Sequence, residues 1–360
     1  MSAALLLVLL FSFLAIGVPV AFALGATSII GLLAFDGIDG FTAVADIAWQ
    51  TTSEFLLVAI PLFVLMSELI GKSGVGRDLF RGVDRWLRGL PGGIAMSSVV
   101  ASAIFGAVSG TAVGVAAVMG GIAVPEMLER NYSKKVAAGT VAASSGLGMI
   151  IPPSLPLIIY GVTTETSIAT LFAKAVIPGI IITLIFCVYI YFAVVRQSRA
   201  GNVVISSGSD ITLGQSFMLA APTLVLIIAV LGSIYKGIAT PTEAAAVGVF
   251  GSLLLAAMKR NLTWKMLYDS INSSTRISVM LLAILVMAML FSYMLSSAQV
   301  PQMLSEAVAE ANISRMVFFA LVMVLLSILG MFLDAISVIL IAVPIIAPVL
   351  VAYDFDLIWF

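Results

Sequence analysis

Ser109-Gly110-Thr111 and the stretch from Gly146 to Pro153 are the residues whose types and spacing could do chemistry in this chain. The first group interrupts ASAIFGAVSGTAVGVAAVMGGIAVPEM. The second lies in AASSGLGMIIPPSLP, beyond a basic patch at Arg130, Lys134 and Lys135. Both flanks are apolar enough for hydrocarbon, where a backbone N–H or C=O without a partner costs several kcal/mol. An interrupted helix there must be buried in protein or line a wet cavity. Two breaks in adjacent segments could gather freed carbonyls, hydroxyls and helix ends around an ion at mid-bilayer depth. The plainer reading is a Pro kink with small-residue packing, because Gly, Ala, Ser and Thr also let helices approach.

The elements that position these breaks must cross a membrane. Hydrophobic residues make up 62% of the 360 and charged residues 10%, and the mean hydropathy is +1.21. A soluble domain carries about a quarter charged residues, so the fold class is all-α integral membrane. His is absent and Cys occurs once, at Cys187 in an apolar run. That removes Cys/His metal sites, disulfides and histidine proton relays. The N-terminal MSAALLLVLLFSFLAIGV lacks a basic leader and runs into further apolar sequence, so it reads as a first span rather than a signal peptide.

About twenty apolar residues cross the hydrocarbon. The predicted spans are 3–18, 19–35, 51–71, 172–195, 217–235, 241–258 and 275–295. Regions 93–128 and 314–350 are too long for one crossing and carry central breaks, which fits re-entrant hairpins; 137–170 reads as a span unwound around Pro152-Pro153. The organisation is then 1–71, N-terminal scaffold spans; 72–90, an amphipathic interfacial arm; and 91–170, the first hairpin and broken helix. It continues with 171–216, a span and connecting loop; 217–295, the second set of scaffold spans; and 296–360, the second hairpin with the start of an incomplete C-terminal part.

Charge placement orients the chain. Lys72, Arg77, Arg81, Arg85, Arg88, Arg130, Lys134, Lys135, Arg196, Arg199, Lys259, Arg260, Lys265 and Arg276 fall on one side if the first hairpin enters and leaves by the same face. They are fourteen of the seventeen basic residues. By the positive-inside rule that side is cytoplasmic and the N-terminus is outside. Along 72–90, Arg77, Arg81, Arg85 and Arg88 oppose Leu79, Phe80, Val83, Trp86 and Leu87, the pattern of a helix lying in the inner interface among lipid headgroups.

An internal repeat runs through this pattern. Gly25 and Gly248, and likewise Pro125 and Pro348, are 223 positions apart; Gly106 and Gly330 are 224 apart, and Val75 and Val300 are 225 apart. By charge placement one hairpin enters from inside and the other from outside, so the repeat is inverted. At this offset the counterpart of GLGMIIPPSLP falls beyond Phe360, which reads as a C-terminally truncated chain. Asp334, in LGMFLDAIS, is the clearest buried acid, either a coupling group or a helix N-cap. Glu243 follows Pro241 as a first-turn acid with Thr240 as cap, while Glu68, Glu126 and Glu129 read as interfacial or ion-paired.

FGAVSGTA, GGIAVPEM, SSGLGMIIPPSLPLIIYG, KAVIPG and GIATPTEAAAVG resemble the large membrane subunit of TRAP (tripartite ATP-independent periplasmic) transporters, along the whole chain. The resemblance implies an inverted-repeat, elevator-type secondary transporter of the bacterial inner membrane, driven by sodium. It would take up an organic anion such as a C4-dicarboxylate or sialic acid. It also implies a small Q-type membrane subunit and a periplasmic substrate-binding protein as partners. Carried over, one sodium site comprises Ser109, Gly110, Thr111, Ser145, Gly146, Gly148, Ile151 and Pro153, with a second sodium or substrate position at Gly330 and Asp334. Hydroxyls supply hard oxygens, Gly permits the turn, and Pro frees the carbonyl one turn back. The anion would sit between the hairpin tips at helix N-termini, since Lys174 and Arg276, the nearest basic candidates, lie near span ends.

A proton-coupled transporter on the same fold is the main alternative, kept open by Asp334. A channel would give no reason for an inverted repeat. An enzyme would need a partner for Asp334 that the sequence does not supply, so no catalytic residue, organic cofactor or nucleic-acid partner is expected.

Overall fold

The structure, a computed structural model, describes residues 3–35, 37–198, 211–311 and 313–360. Arg199 and the 199–210 part of the connecting loop lie outside the described residues. The helices are, in order, α1 (Ala3–Ala15), α2 (Val20–Phe35), α3 (Thr42–Ser53), α4 (Ala59–Ser73), α5 (Val75–Trp86) and α6 (Gly93–Ser109). There follow α7 (Ala112–Glu129), α8 (Lys134–Ser145), α9 (Leu147–Ile150), α10 (Leu155–Thr163), α11 (Ile168–Ser198) and α12 (Leu213–Tyr235). The chain ends with α13 (Pro241–Met258), α14 (Trp264–Ser297), α15 (Val300–Glu310), α16 (Arg315–Phe332) and α17 (Ala335–Ala352). Among the described residues there is no strand, and eight helices are long and apolar enough to span a membrane.

Both long apolar regions break where expected. Hairpin 1 is α6 and α7 around Gly110-Thr111; hairpin 2 is α16 and α17 around Leu333-Asp334. The repeat is visible element by element: α2 corresponds to α13, α4 to the second half of α14, α5 to α15, α6 to α16, and α7 to α17. A Cβ added at Gly25 of α2 would stand 2.7 Å from the Met287 sulfur of α14, and one at Gly248 of α13 would run into the Met66 sulfur of α4. In each case a helix of one repeat seats its glycine on the corresponding methionine-bearing helix of the other.

Two compact units divide the chain. One comprises Val58–Leu157 and Ile168–Ile277. Its core includes Leu69, Ala256 and Met266, which join α4 to α13 and to the start of α14, and Val99, Ala103 and Leu147, which join hairpin 1 to α9 and, through Ile182 and Phe186, to α11. The other unit comprises Met1–Leu57, Ile158–Ser167 and Ser278–Phe360. There Phe318, Val322, Ile346, Val349 and Phe355 hold hairpin 2 together. Phe318 stacks on Tyr353 at 5.0 Å, and the Arg315 guanidinium covers Phe355 at 4.3 Å.

Three elements depart from the sequence expectation. α5 does bear the four-arginine face, but its apolar side is sealed by protein rather than lipid. Leu79, Phe80 and Val83 are buried, Trp86 donates to Ser216 Oγ at 2.9 Å, and Arg85 donates to the Ile211 carbonyl at 2.9 Å. Amphipathicity reports that a face is covered, not what covers it. α3 occupies a stretch expected to be a loop. TAVADIAWQTTS has helix-compatible residues but no apolar stripe, and none of them is buried. α14 starts at Trp264 rather than 275, because its polar first turns contain no Gly or Pro to end the helix.

Candidate functional site: the interlocked breaks of hairpin 1 and the α8–α10 segment

Gly110 turns the chain between α6 and α7 at φ +65°, a left-handed conformation that glycine adopts without steric cost. A Cβ there would also meet the Pro153 carbonyl at 2.9 Å. The Gly110 carbonyl accepts from the Leu155 N–H at 3.1 Å, tying the hairpin tip to the start of α10. Thr111 is the N-cap of α7, its hydroxyl accepting from Gly114 N–H at 3.1 Å. Ser109 Oγ lies 3.4 Å from Thr111 Oγ1 and 3.0 Å from Ser67 Oγ of α4. Ser67 lay outside the sequence expectation, since one serine in an apolar span has no distinguishing pattern.

The facing break is built by proline chemistry. Pro152 and Pro153 lack the N–H groups that would close helical bonds on the Gly148 and Met149 carbonyls. The Ser154 hydroxyl donates to the Met149 carbonyl in their place, and Ile151 N–H closes on Leu147 at 2.9 Å. The Gly148 carbonyl is thus left without a helical donor. The Pro152-Pro153 bond is cis, and the segment bends by 41° between its two helical parts.

The two breaks interlock. Positions that a Cβ on Gly148 would occupy lie 2.9 Å from the Thr111 carbonyl and 2.6 Å from Val115. Ser145 is buried and donates to the Ala142 carbonyl at 2.8 Å, which leaves its lone pairs available as acceptors. Beside it, Ser144 donates to Ser102 Oγ at 3.0 Å, a cross-helix bond that the sequence did not single out. Gly146 links α8 to α9 in right-handed backbone at φ −58°. Of the eight expected residues, Gly110 therefore meets Pro153 and Thr111 meets Gly148 directly at the crossing, while Ser109 joins them through Thr111. Ser145, Gly146 and Ile151 frame the α8–α9 side.

The donor set is hydroxyl and carbonyl oxygen. Among the described residues no group of three or more His, Cys, Asp or Glu could hold a metal ion. Hard neutral oxygens suit a monovalent cation carried as cargo. Thr111 and Asp334 occupy equivalent places in the two hairpins, each an extended N-cap 223 positions from the other. Asp334 accepts from Ile336 N–H at 3.1 Å, from Ser337 N–H at 3.4 Å and from the Ser337 hydroxyl. It is exposed, not buried, because the cap places its carboxylate outside the helix cylinder. Gly330 lies inside α16, one turn before the break, with open space where a Cβ would be.

A family model, described as the DctM component of the tripartite ATP-independent periplasmic transporter, matches residues 7–360. The chain belongs to that family. It is a family of transporters rather than enzymes, and its members are multi-pass membrane proteins, as the helices of this one require. An isethionate TRAP transporter permease protein, DctMQ, from Oleidesulfovibrio alaskensis is 32% identical over 345 residues, covering 96% of this chain and 54% of that protein. The chain thus spans about half the length of that relative. The C4-dicarboxylate TRAP transporter large permease protein of Pseudomonas aeruginosa is 32% identical over 334 residues, 92% of this chain and 77% of its own. The sialic acid large permease protein of Vibrio cholerae is 30% identical over 348 residues, 94% and 79% respectively. Among solved structures, the YdaH transporter of Alcanivorax borkumensis superposes with a TM-score of 0.66 at 12% identity, over 97% of this chain and 84% of that one. At that identity the likeness concerns the fold alone.

Proposed function

We propose that this DctM-family chain imports an organic anion across the bacterial inner membrane, driven by sodium. The observation that carries the reading is the crossing of the Ser109–Thr111 break with the Gly148–Pro153 break. There the Gly148 carbonyl is released by Pro152, and three hydroxyls, of Ser67, Ser109 and Thr111, lie in hydrogen-bonding sequence. Sodium takes its ligands from that set, with Ser145, Gly146 and Ile151 supporting the α8–α9 side. Gly330 and Asp334 mark the corresponding region of hairpin 2. The N-terminus is periplasmic and the two repeats are inverted across the bilayer, which suits an elevator movement of the hairpins. A small Q-type subunit and a periplasmic substrate-binding protein complete the assembly, and a small organic acid as cargo is supported by relatives named for isethionate, C4-dicarboxylates and sialic acid.

Proton coupling is the second reading, and the engagement of Asp334 as a helix cap weighs against it. Proteoliposomes containing the chain with its small subunit and binding protein decide between them. Uptake that requires an inward sodium gradient is expected; uptake that follows a pH gradient and ignores sodium would replace this reading with the other.

A further inference from the structure

A cavity of about 700 Å³ opens within the Val58–Leu157 and Ile168–Ile277 unit, beside the candidate site. Its inner wall carries Ser67 and Gly114, the residues that touch the hairpin 1 tip through Ser109 and Thr111. Its mouth carries charge. Lys72 pairs with Glu68 at 2.9 Å and Lys259 with Asp78, so those four residues cancel in pairs. Arg77 also lines the cavity and forms no ion pair among the described residues. The three cations and two carboxylates therefore leave a net charge of one positive, and it belongs to Arg77. A cleft with low-dielectric walls focuses such a field and raises the local concentration of the opposite charge.

Resting on the organic-anion reading above, we propose that this cavity is an anion-selecting vestibule between the hairpin 1 tip and the aqueous phase, with Arg77 setting its selectivity. The guanidinium suits carboxylates and sulfonates, which it meets in a planar, two-pronged fashion. Lys72 and Lys259, held by their carboxylates, do not compete for the passing anion.

The 360 residues carry one cysteine, Cys187, on α11. In a Cys187→Ser background, Ala117→Cys places a thiol on the cavity wall. The probes are two methanethiosulfonates, one with a sulfonatoethyl and one with a trimethylammonioethyl group, and the readout is the ratio of their modification rates. With each rate normalised to that of a small free thiol in solution, the anionic reagent is expected to be the favoured one. Arg77→Gln should lower the ratio about three- to tenfold, Arg77→Lys should largely restore it, and high salt should flatten it. Arg81→Gln, on the same helix but outside the cavity lining, should leave it unchanged. A ratio indifferent to Arg77→Gln, or equally altered by Arg81→Gln, overturns the proposal. Neither sodium nor transport enters the readout, so a failure of the sodium reading would show separately.

Discussion

Gly106 of α6 packs backbone to backbone against Gly148 of α9: a Cβ added at Gly106 would lie 2.7 Å from the Gly148 Cα and 3.0 Å from its nitrogen. No side chain can give way there, because the obstacle is main chain. Gly106→Ala must push hairpin 1 away from the proline break, and overpacking of this kind costs about 1–3 kcal/mol. Gly121→Ala, in α7 with open space around it, is the control and should be neutral or slightly stabilising, since Ala is the better helix former. Melting midpoints of the purified protein should fall for the first and hold for the second. Equal midpoints would mean that the two breaks do not bear on one another.

Sodium dependence separates cap from ligand at the hairpin tip. Thr111→Ala removes the hydroxyl that caps α7 and should cost about 1 kcal/mol of stability. Thr111→Ser keeps both cap and oxygen. Under the proposed coupling, Thr111→Ala and Ser109→Ala each raise the sodium concentration needed for half-maximal uptake, while Thr111→Ser does not. If all three variants keep the parent sodium curve, these hydroxyls are structural only.

The breaks were legible in the sequence because Gly, Ser and Pro are the residues that interrupt a helix for stated reasons: a left-handed turn at Gly110, missing N–H groups at Pro152 and Pro153. The repeat offset likewise carried the ends of α7 onto those of α17. Burial was not legible in the same way. Asp334 is exposed although its flanks are apolar, and Asp84 is buried in a helix whose Arg77 and Arg81 are exposed, because both outcomes depend on which helices pack nearby. Ser67 and the Ser102–Ser144 pair were missed for a related reason: a hydroxyl that bonds across helices follows no local spacing.

Asp334 offers a test in which charge and hydrogen bonding part company. Asparagine at an N-cap is about as good as aspartate, whereas alanine loses about 1 kcal/mol. If the carboxylate serves hairpin 2 as a cap, Asp334→Asn should keep the melting midpoint near that of the parent and Asp334→Ala should lower it. A coupling role predicts a different split, with Asp334→Asn folded and stable but unable to sustain ion-driven uptake. Measuring stability and uptake on the same two variants assigns the residue.

The Asp84–Arg130 pair ties α5 to the end of α7 at 3.3 Å, with side-chain exposures of 6% and 16%. Arg130 also approaches Glu126 at 3.6 Å, but Glu126 is more exposed and can turn to water. Asp84 has no such escape. Removing the arginine leaves a carboxylate in a desolvated position, and losing one partner of a buried pair costs about 3–5 kcal/mol. Arg130→Met should therefore lower the melting midpoint strongly, because its side chain keeps much of the volume while dropping the charge. Asp84→Asn should cost less, since Arg130 retains Glu126. The double variant should recover most of the loss, because no uncompensated charge remains. A double variant no more stable than Arg130→Met would show that arginine packing, rather than charge compensation, holds α5 against hairpin 1.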